Sequence, residues 1–522
     1  MDFSPVNLEQ LADPSFIDIF TSYCDEKIVA ARKDLGYFET NHEKHLQPQA
    51  IYWEEFYSKT EEIFREKYNG NLVAAFRKLA DKGVLDAMTC GVTHGYFPLL
   101  LHDSNIRAQL KGAIATHEKH FGKKPRGIWL PECGYRPRYL WSPPVGPAEY
   151  RNHQEERAGI EELLAEVGLE YFVVDGALTK GGITVPAYVP TAKKLHERFL
   201  REVGPHGEPV FEADADRSLA EIYWVKSTSH ELPGPAPAVF SRDPRSAARV
   251  WASDLGYPGA GVYLDFHKKH YNSGLRYWAV TGAQVDLGDK VDYNAAYSEW
   301  QLDIDSEDFV HLVREELREH LAEHGRPGII AAPFDTELFG HWWFEGPRFL
   351  EKVMRKLSES PDIELTNCSR ALDNYTAPHI TIALPEGSWG EGGHHYVWTN
   401  DAVAWMWDTI YPLEDRFLRV IRKLKQSTQL EESDLLRSIL EQAGRELLLL
   451  EASDWQFVIS TQGAIDYSKE RFAEHSEFLT RLLDMAENYD AGVGLSDDDA
   501  ELLQTALVKD RPFETIDLGW WD

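Results

Sequence analysis

The sequence predicts an α/β protein: parallel strands alternating with helices, followed by an all-helical C-terminal domain. Three observations predict it. Short apolar runs alternate with helical patterns at intervals that suit right-handed parallel crossovers. Two of these runs, Gly127-Ile-Trp-Leu130 and Ile329-Ile-Ala-Ala332, stop at a proline and then deliver an acid, Glu132 and Asp335. From about Ala377 the pattern changes to long amphipathic helices.

In chain order, residues 3–6 read as the tail of a strand. Residues 15–35 follow as a helix capped by Ser15, with Phe16, Ile19, Phe20 and Ile28 on one face. Residues 52–79 give one or two helices broken at Asn69-Gly70, and 84–90 a strand running into Gly91-Val-Thr-His-Gly-Tyr-Phe97. A helix over 105–121 leads to the first strand-Pro-acid segment. Residues 155–167 read as a helix and 171–174 as a short strand ending at Asp175, whereas 193–237 is an excursion suited to a lid. A helix over 293–320 precedes the second segment, and 363–366 is the expected last strand. The domains expected are a catalytic barrel (1–141 and 238–376), an inserted small domain (142–237) and a helical domain (377–522). Helices are expected there over 402–425, 433–450, 465–489 and 496–508, the last opened by a Ser-x-x-Asp capping box.

The formal net charge is −32, from 86 acids against 54 bases. That field repels nucleic acid and anionic lipid and points to a neutral ligand or a locally screened site. No run approaches the roughly 18 apolar residues of a membrane span, and MDFSPVNLEQ lacks the basic and apolar regions of a signal peptide. A cytoplasmic protein is expected. Its four scattered cysteines form no CxxC pair, which fits a reducing compartment.

Proline cannot donate to a ladder, so each strand ends there and its acid stands at the rim of a core, where parallel barrels keep their chemistry. Two carboxylates presented in this way suit a retaining glycosidase-type mechanism, which needs a nucleophile and an acid/base roughly 5 to 5.5 Å apart; each could instead cap a helix or sit in an ion pair. Glycines on both sides of Thr93-His94 let the backbone turn tightly and aim His94 inward, unless it is simply a satisfied loop histidine. Trp251 suits a sugar platform or the core. Trp389, in the loop Glu386-Gly-Ser-Trp-Gly-Glu-Gly-Gly-His-His395, is expected to stand clear of the backbone, with Trp398 close behind. Asp454 and Trp455 lie between two helices where they could face the barrel. Cys133 has no histidine at a suggestive position, so a catalytic thiol is not expected. His117 and His120 do not form HExxH and are expected on a solvated helix face, so no metal site is expected. No nucleotide-binding glycine loop is present.

The stretches Gly91 to Phe97, Trp129-Leu-Pro-Glu-Cys-Gly-Tyr135, Pro333-Phe-Asp-Thr-Glu-Leu-Phe-Gly-His-Trp-Trp343, and the pairing of Trp389 and Trp398 with Ser453-Asp-Trp455 resemble glycoside hydrolase family 57, and within it the α-1,4-glucan branching enzymes. The resemblance implies a distorted seven-stranded β/α barrel, an inserted small domain and a helical C-terminal domain on the acceptor side. It implies Glu132 as nucleophile, Asp335 as acid/base, and His94 at the donor subsite. Trp251, Trp389 and Trp398 would line the glucan groove and Asp454 would lie near the acceptor. The partner implied is an α-glucan, with no metal or organic cofactor. Family members open with a strand carrying His-x-His or His-x-Pro; nothing in residues 1–25 supplies it, so a start upstream of Met1 is expected, the alternative being a barrel without that strand. Rival readings are an α-amylase or 4-α-glucanotransferase, a glucan-binding protein without turnover, and a metal-dependent deacetylase whose Asp/His/His set cannot be assembled here.

Overall fold

The apolar run Tyr171-Phe-Val-Val174 is buried along its whole length. A strand covered on both faces is what a parallel sheet requires. In the computed structural model, which describes residues 1–184, 217–227, 230–252, 256–426, 430 and 433–522, it forms the middle of a mostly parallel sheet. The strands of that sheet are β1 (Asp2–Phe3), β2 (Met88–Thr89), β3 (Gly127–Ile128), β6 (Tyr171–Asp175), β7 (Ile183–Thr184), β8 (Tyr223–Val225), β9 (Ala238–Arg242) and β10 (Thr381–Ala383). Their order is β1-β2-β3-β6-β9-β8-β10-β7. Among the described residues no pairing joins the two ends of this order. Pairs from β1 to β9 are parallel; β8 runs antiparallel to β9, and β7 to β10. The separate pair β4 (Tyr139–Trp141) and β5 (Glu155–Arg157) is antiparallel.

Several expectations shift. The strand expected over 84–90 contracts to β2, and that over 329–332 to one parallel bridge between Ala331 and Arg242. No strand forms over 363–366; the last strand is β10, past residue 376. Residues 155–157 pair as β5, so the helix there is Ile160–Val167. The excursion over 193–237 lies largely outside the described residues, and its described part supplies β8. Helix Ser15–Thr40 has Pro14 rather than Ser15 at its N-cap, with the Asp13 carboxylate accepting from Ser15 N at 2.9 Å, and Ile19 on it is exposed. The break at Asn69-Gly70 is found, both residues having positive φ.

The C-terminal helices are Ala404–Lys425, Asp434–Leu450, Asp454–Ser460, Ile465–Asp490 and Asp497–Lys509. Ser433 and Ser496 cap two of them, accepting from Leu436 N and Asp499 N at 3.2 Å. Their apolar stripes share one core with the sheet side: Val92, Tyr96, Leu99 and Trp141 pack in the same cluster as Trp407, Tyr411, Leu440 and Leu482. No helix among the described residues is long and apolar enough to cross a membrane.

Candidate active site

β3 ends at Ile128, and Pro131–Cys133 then turns tightly, with Glu132 at φ 60° and Cys133 at φ 52°. Two successive non-glycine residues in the left-handed region store strain of order 1–3 kcal/mol each. The glycine loop holds them. Tyr135 and Gly387 exchange both backbone hydrogen bonds, at 2.9 and 3.0 Å, and Trp389 N donates to Glu132 O at 3.1 Å. Trp389 Nε1 donates to Glu132 Oε2 at 2.6 Å. The Trp389 ring meets Trp129 edge-on, with centroids 4.8 Å apart, and carries the Arg242 guanidinium 5.1 Å above it. It is thus half-buried and tied to the acid rather than standing clear.

Asp335 is delivered by a separate segment of the chain. Ala331 bridges Arg242 at the end of β9, and Pro333 frees the chain so that Asp335 opens the turn Thr336–Leu338. Burial, and then the charge of Glu132, push the Asp335 carboxyl up to about 7; Glu337 and Asp2 add to this and His94 opposes it. Burial also raises Glu132, while His94 and the Trp389 hydrogen bond hold it down and Asp454 raises it further. Both carboxyls are thus raised by burial, with the Trp389 donor opposing it at Glu132 and the charge of Glu132 adding to it at Asp335.

His94 (φ 61°) sits on its glycine-flanked turn with Nδ1 2.8 Å from Ser453 Oγ. Asp454 is exposed at the start of the helix Asp454–Ser460. The charges of His94 and Asp454 act on Glu132, and those of Glu132 and His94 on Asp335. Trp398 lies one layer behind, buried and stacked on Tyr96 with centroids 4.1 Å apart. Trp251 is 40% exposed at the end of helix Pro244–Trp251. Among the described residues no ring contact joins Trp251 to the others. Burial pushes the Cys133 thiol well up, away from a thiolate.

Sequence reasoning named Asp175 only as a strand end and passed over Arg242; the two end β6 and β9 in register and pair at 3.4 Å. The signal was present: each apolar strand ends in a charge. Also unforeseen is a buried relay behind Glu132. Tyr96 Oη lies 2.6 Å from His395 Nδ1, His395 Nε2 lies 2.9 Å from Glu386, and Tyr139 donates to the same carboxylate.

His117 is not solvated; it is buried, with its two nitrogens 2.8 and 3.0 Å from the Lys123 and Ala87 carbonyls. Among the described residues one trio has metal-ligand types, Glu446, His475 and Asp510, with ligand atoms within 4.8 Å of one another. Arg471 already supplies the positive charge there, donating to Asp510 at 2.6 Å and facing His475 Nε2 at 3.1 Å.

Residues 15–212 match the family described as "Glycosyl hydrolase family 57", and residues 409–521 the one described as "1,4-alpha-glucan branching enzyme, C-terminal". The chain is 37% identical to the 1,4-alpha-glucan branching enzyme TK1436 of Thermococcus kodakarensis, over 99% of its own length and 70% of the relative's. The chain belongs to glycosyl hydrolase family 57. The crystal structure of that family 57 relative, in complex with glucose and additives, superposes with a TM-score of 0.85 at 36% identity, covering 100% of this chain and 86% of the other. A family 57-type branching enzyme from Pyrococcus horikoshii gives 0.85 at 34% identity with the same coverage. The α-amylase AmyC of Thermotoga maritima gives 0.76 at 25%, covering 99% and 88%.

Proposed function

We propose that this chain is a retaining 1,4-alpha-glucan branching enzyme. The carrying observation is the pair of acids: Asp335, pushed up to about 7 by burial and by the charge of Glu132, and Glu132, whose Oε2 accepts from Trp389 Nε1. Similarity to branching enzymes along nearly the whole chain, helical region included, supplies the substrate class.

Glu132 attacks the anomeric carbon of an α-1,4-linked glucan while Asp335 gives its proton to the departing 4-oxygen, leaving a β-glycosyl ester on Glu132. Asp335, now a carboxylate, takes the proton from the 6-hydroxyl of an acceptor glucan; that oxygen attacks, the ester breaks, and an α-1,6 branch forms. Aromatic faces at Trp389 and Trp251 suit the C–H faces of the sugars. His94 and Asp454 are proposed on the donor and acceptor sides, and Trp398 as backing for the groove.

The likeness to AmyC favours a second reading, hydrolysis of α-1,4 links. One assay separates them: amylose treated with the protein, stained with iodine, then debranched with isoamylase. Falling stain with new isoamylase-sensitive chains is expected; reducing ends without such chains overturn branching in favour of hydrolysis. Glu132→Gln and Asp335→Asn each lower the rate by roughly 10³-fold or more.

A further inference from the structure

His94 is held in place in good part by the C-terminal helical region. Its φ of 61° is costly for a histidine, and such a residue persists only where its surroundings over-determine it. Here they come from the end of helix Asp434–Leu450 and the turn after it. Thr93 Oγ1 donates to Leu448 O, Gly95 bridges Ala452, and Ser453 N donates to His94 O at 3.1 Å. Ser453 Oγ engages the ring at Nδ1, which leaves Nε2 as the nitrogen open to Glu132, Asp335 or a sugar hydroxyl.

Beneath the turn lies the Gln109 side chain, fully buried. Its Oε1 accepts from Thr93 N at 3.1 Å, and its Nε2 donates to Thr93 Oγ1 at 3.0 Å and to Glu451 Oε2 at 2.9 Å. Gly95 admits it, since a Cβ there would stand 2.8 Å from Gln109 Nε2; a Cβ on Gly91 would first meet Phe97 and Pro131, at 3.1 and 3.2 Å. With both amide hydrogens and the oxygen engaged, Gln109 has one orientation only, and the acceptor that fixes it from the helical side is Glu451. Burial and the facing Glu414 push the Glu451 carboxyl up, so a neutral amide is a close replacement for it.

We propose that Ser453 and Glu451 are positioning residues for His94: Ser453 sets the plane of the imidazole, and Glu451, through Gln109, sets the turn that carries it. The aim of a sheet-side histidine is thereby decided by helical residues 448–453. The inference rests on the branching reading for its kinetic consequence, not for its geometry.

The test uses the full chain with Ser453→Ala, Ser453→Thr, Glu451→Leu and Glu451→Gln. In the amylose assay Ser453→Ala is expected to lower kcat about tenfold with KM within twofold and Tm unchanged, and Ser453→Thr to regain at least half of the loss. Glu451→Leu lowers kcat and Glu451→Gln keeps it. A second readout needs no activity: protein labelled with ¹⁵N-histidine, its His94 signals identified by their absence in His94→Gln. Ser453→Ala is expected to move the His94 tautomer signature, whereas Ser453→Thr and Glu451→Gln restore it. If His94 signals in Ser453→Ala match wild type, or if Ser453→Thr is as impaired as Ser453→Ala, the proposal is overturned. A wild-type protein that forms no branches sinks the branching reading alone, and the ¹⁵N signals still decide the positioning role.

Discussion

Asp335 is the residue on which the pH behaviour turns. As the proton donor it works while protonated, so activity is expected to fall as pH rises through about 7. Because its carboxyl sits higher in the folded chain than in the unfolded one, ionisation costs the fold stability. That cost grows from about pH 4 upward and is complete above 7. Asp335→Asn should therefore raise stability by on the order of 1 kcal/mol at pH 8, an advantage that shrinks toward pH 4 in thermal melts and would be refuted by an equal or lower Tm at pH 8. Glu132 must be ionised to attack, and Trp389 Nε1 helps to keep it so. In Trp389→Phe the ring remains and the donor is lost; the acid limb of the pH–rate profile should move to higher pH and kcat fall roughly tenfold. An unmoved acid limb would mean that the hydrogen bond does not tune the nucleophile.

At the scale of elements, the strands are short and their meeting points are set by small residues. A Cβ on Gly127 would lie 2.1 Å from the Tyr171 ring, so β3 can lie against β6 only with glycine there. Gly127→Ala is expected to destabilise by roughly 1–3 kcal/mol, read from urea unfolding, and to lower activity because β3 leads into Glu132; a loss below a few tenths would show that Tyr171 yields freely. The four long C-terminal helices were legible to within a residue or two because 3.6-residue periodicity and the serine caps at Ser433 and Ser496 are local signals, whereas the short helix Asp454–Ser460 was read as a connection between helices. The strands were less so. Residues 363–366 have the composition of a strand but no strand partner among the described residues, while Thr381–Ala383 finds β8 and β7. Pairing is decided by neighbours far along the chain.

For the whole molecule, one core joins the sheet side to the helical region, Tyr96 stacking on Trp398 and Val92 packing with the helices. The two should melt together. A single calorimetric transition is expected for the full chain; two separated peaks would show that the shared core does not couple them. The −32 net charge acts at this scale too, through solubility and the exclusion of polyanions rather than through the fold.

By itself the sequence determined that two apolar runs would stop at proline and deliver an acid, that Glu132 and Asp335 were the acids to watch, and that the chain would finish in capped helices. These are near-neighbour properties: a proline stops its own strand, a serine caps its own helix. Only the tertiary structure decided what faces those acids. Trp389 arrives on Glu132 from 257 residues away and Ser453 on His94 from 359, and Arg242 stands beside Asp175 because β6 and β9 pair in register. Partners of that kind leave no spacing in the sequence, since each contact is fixed by the packing of whole elements and not by the residues between.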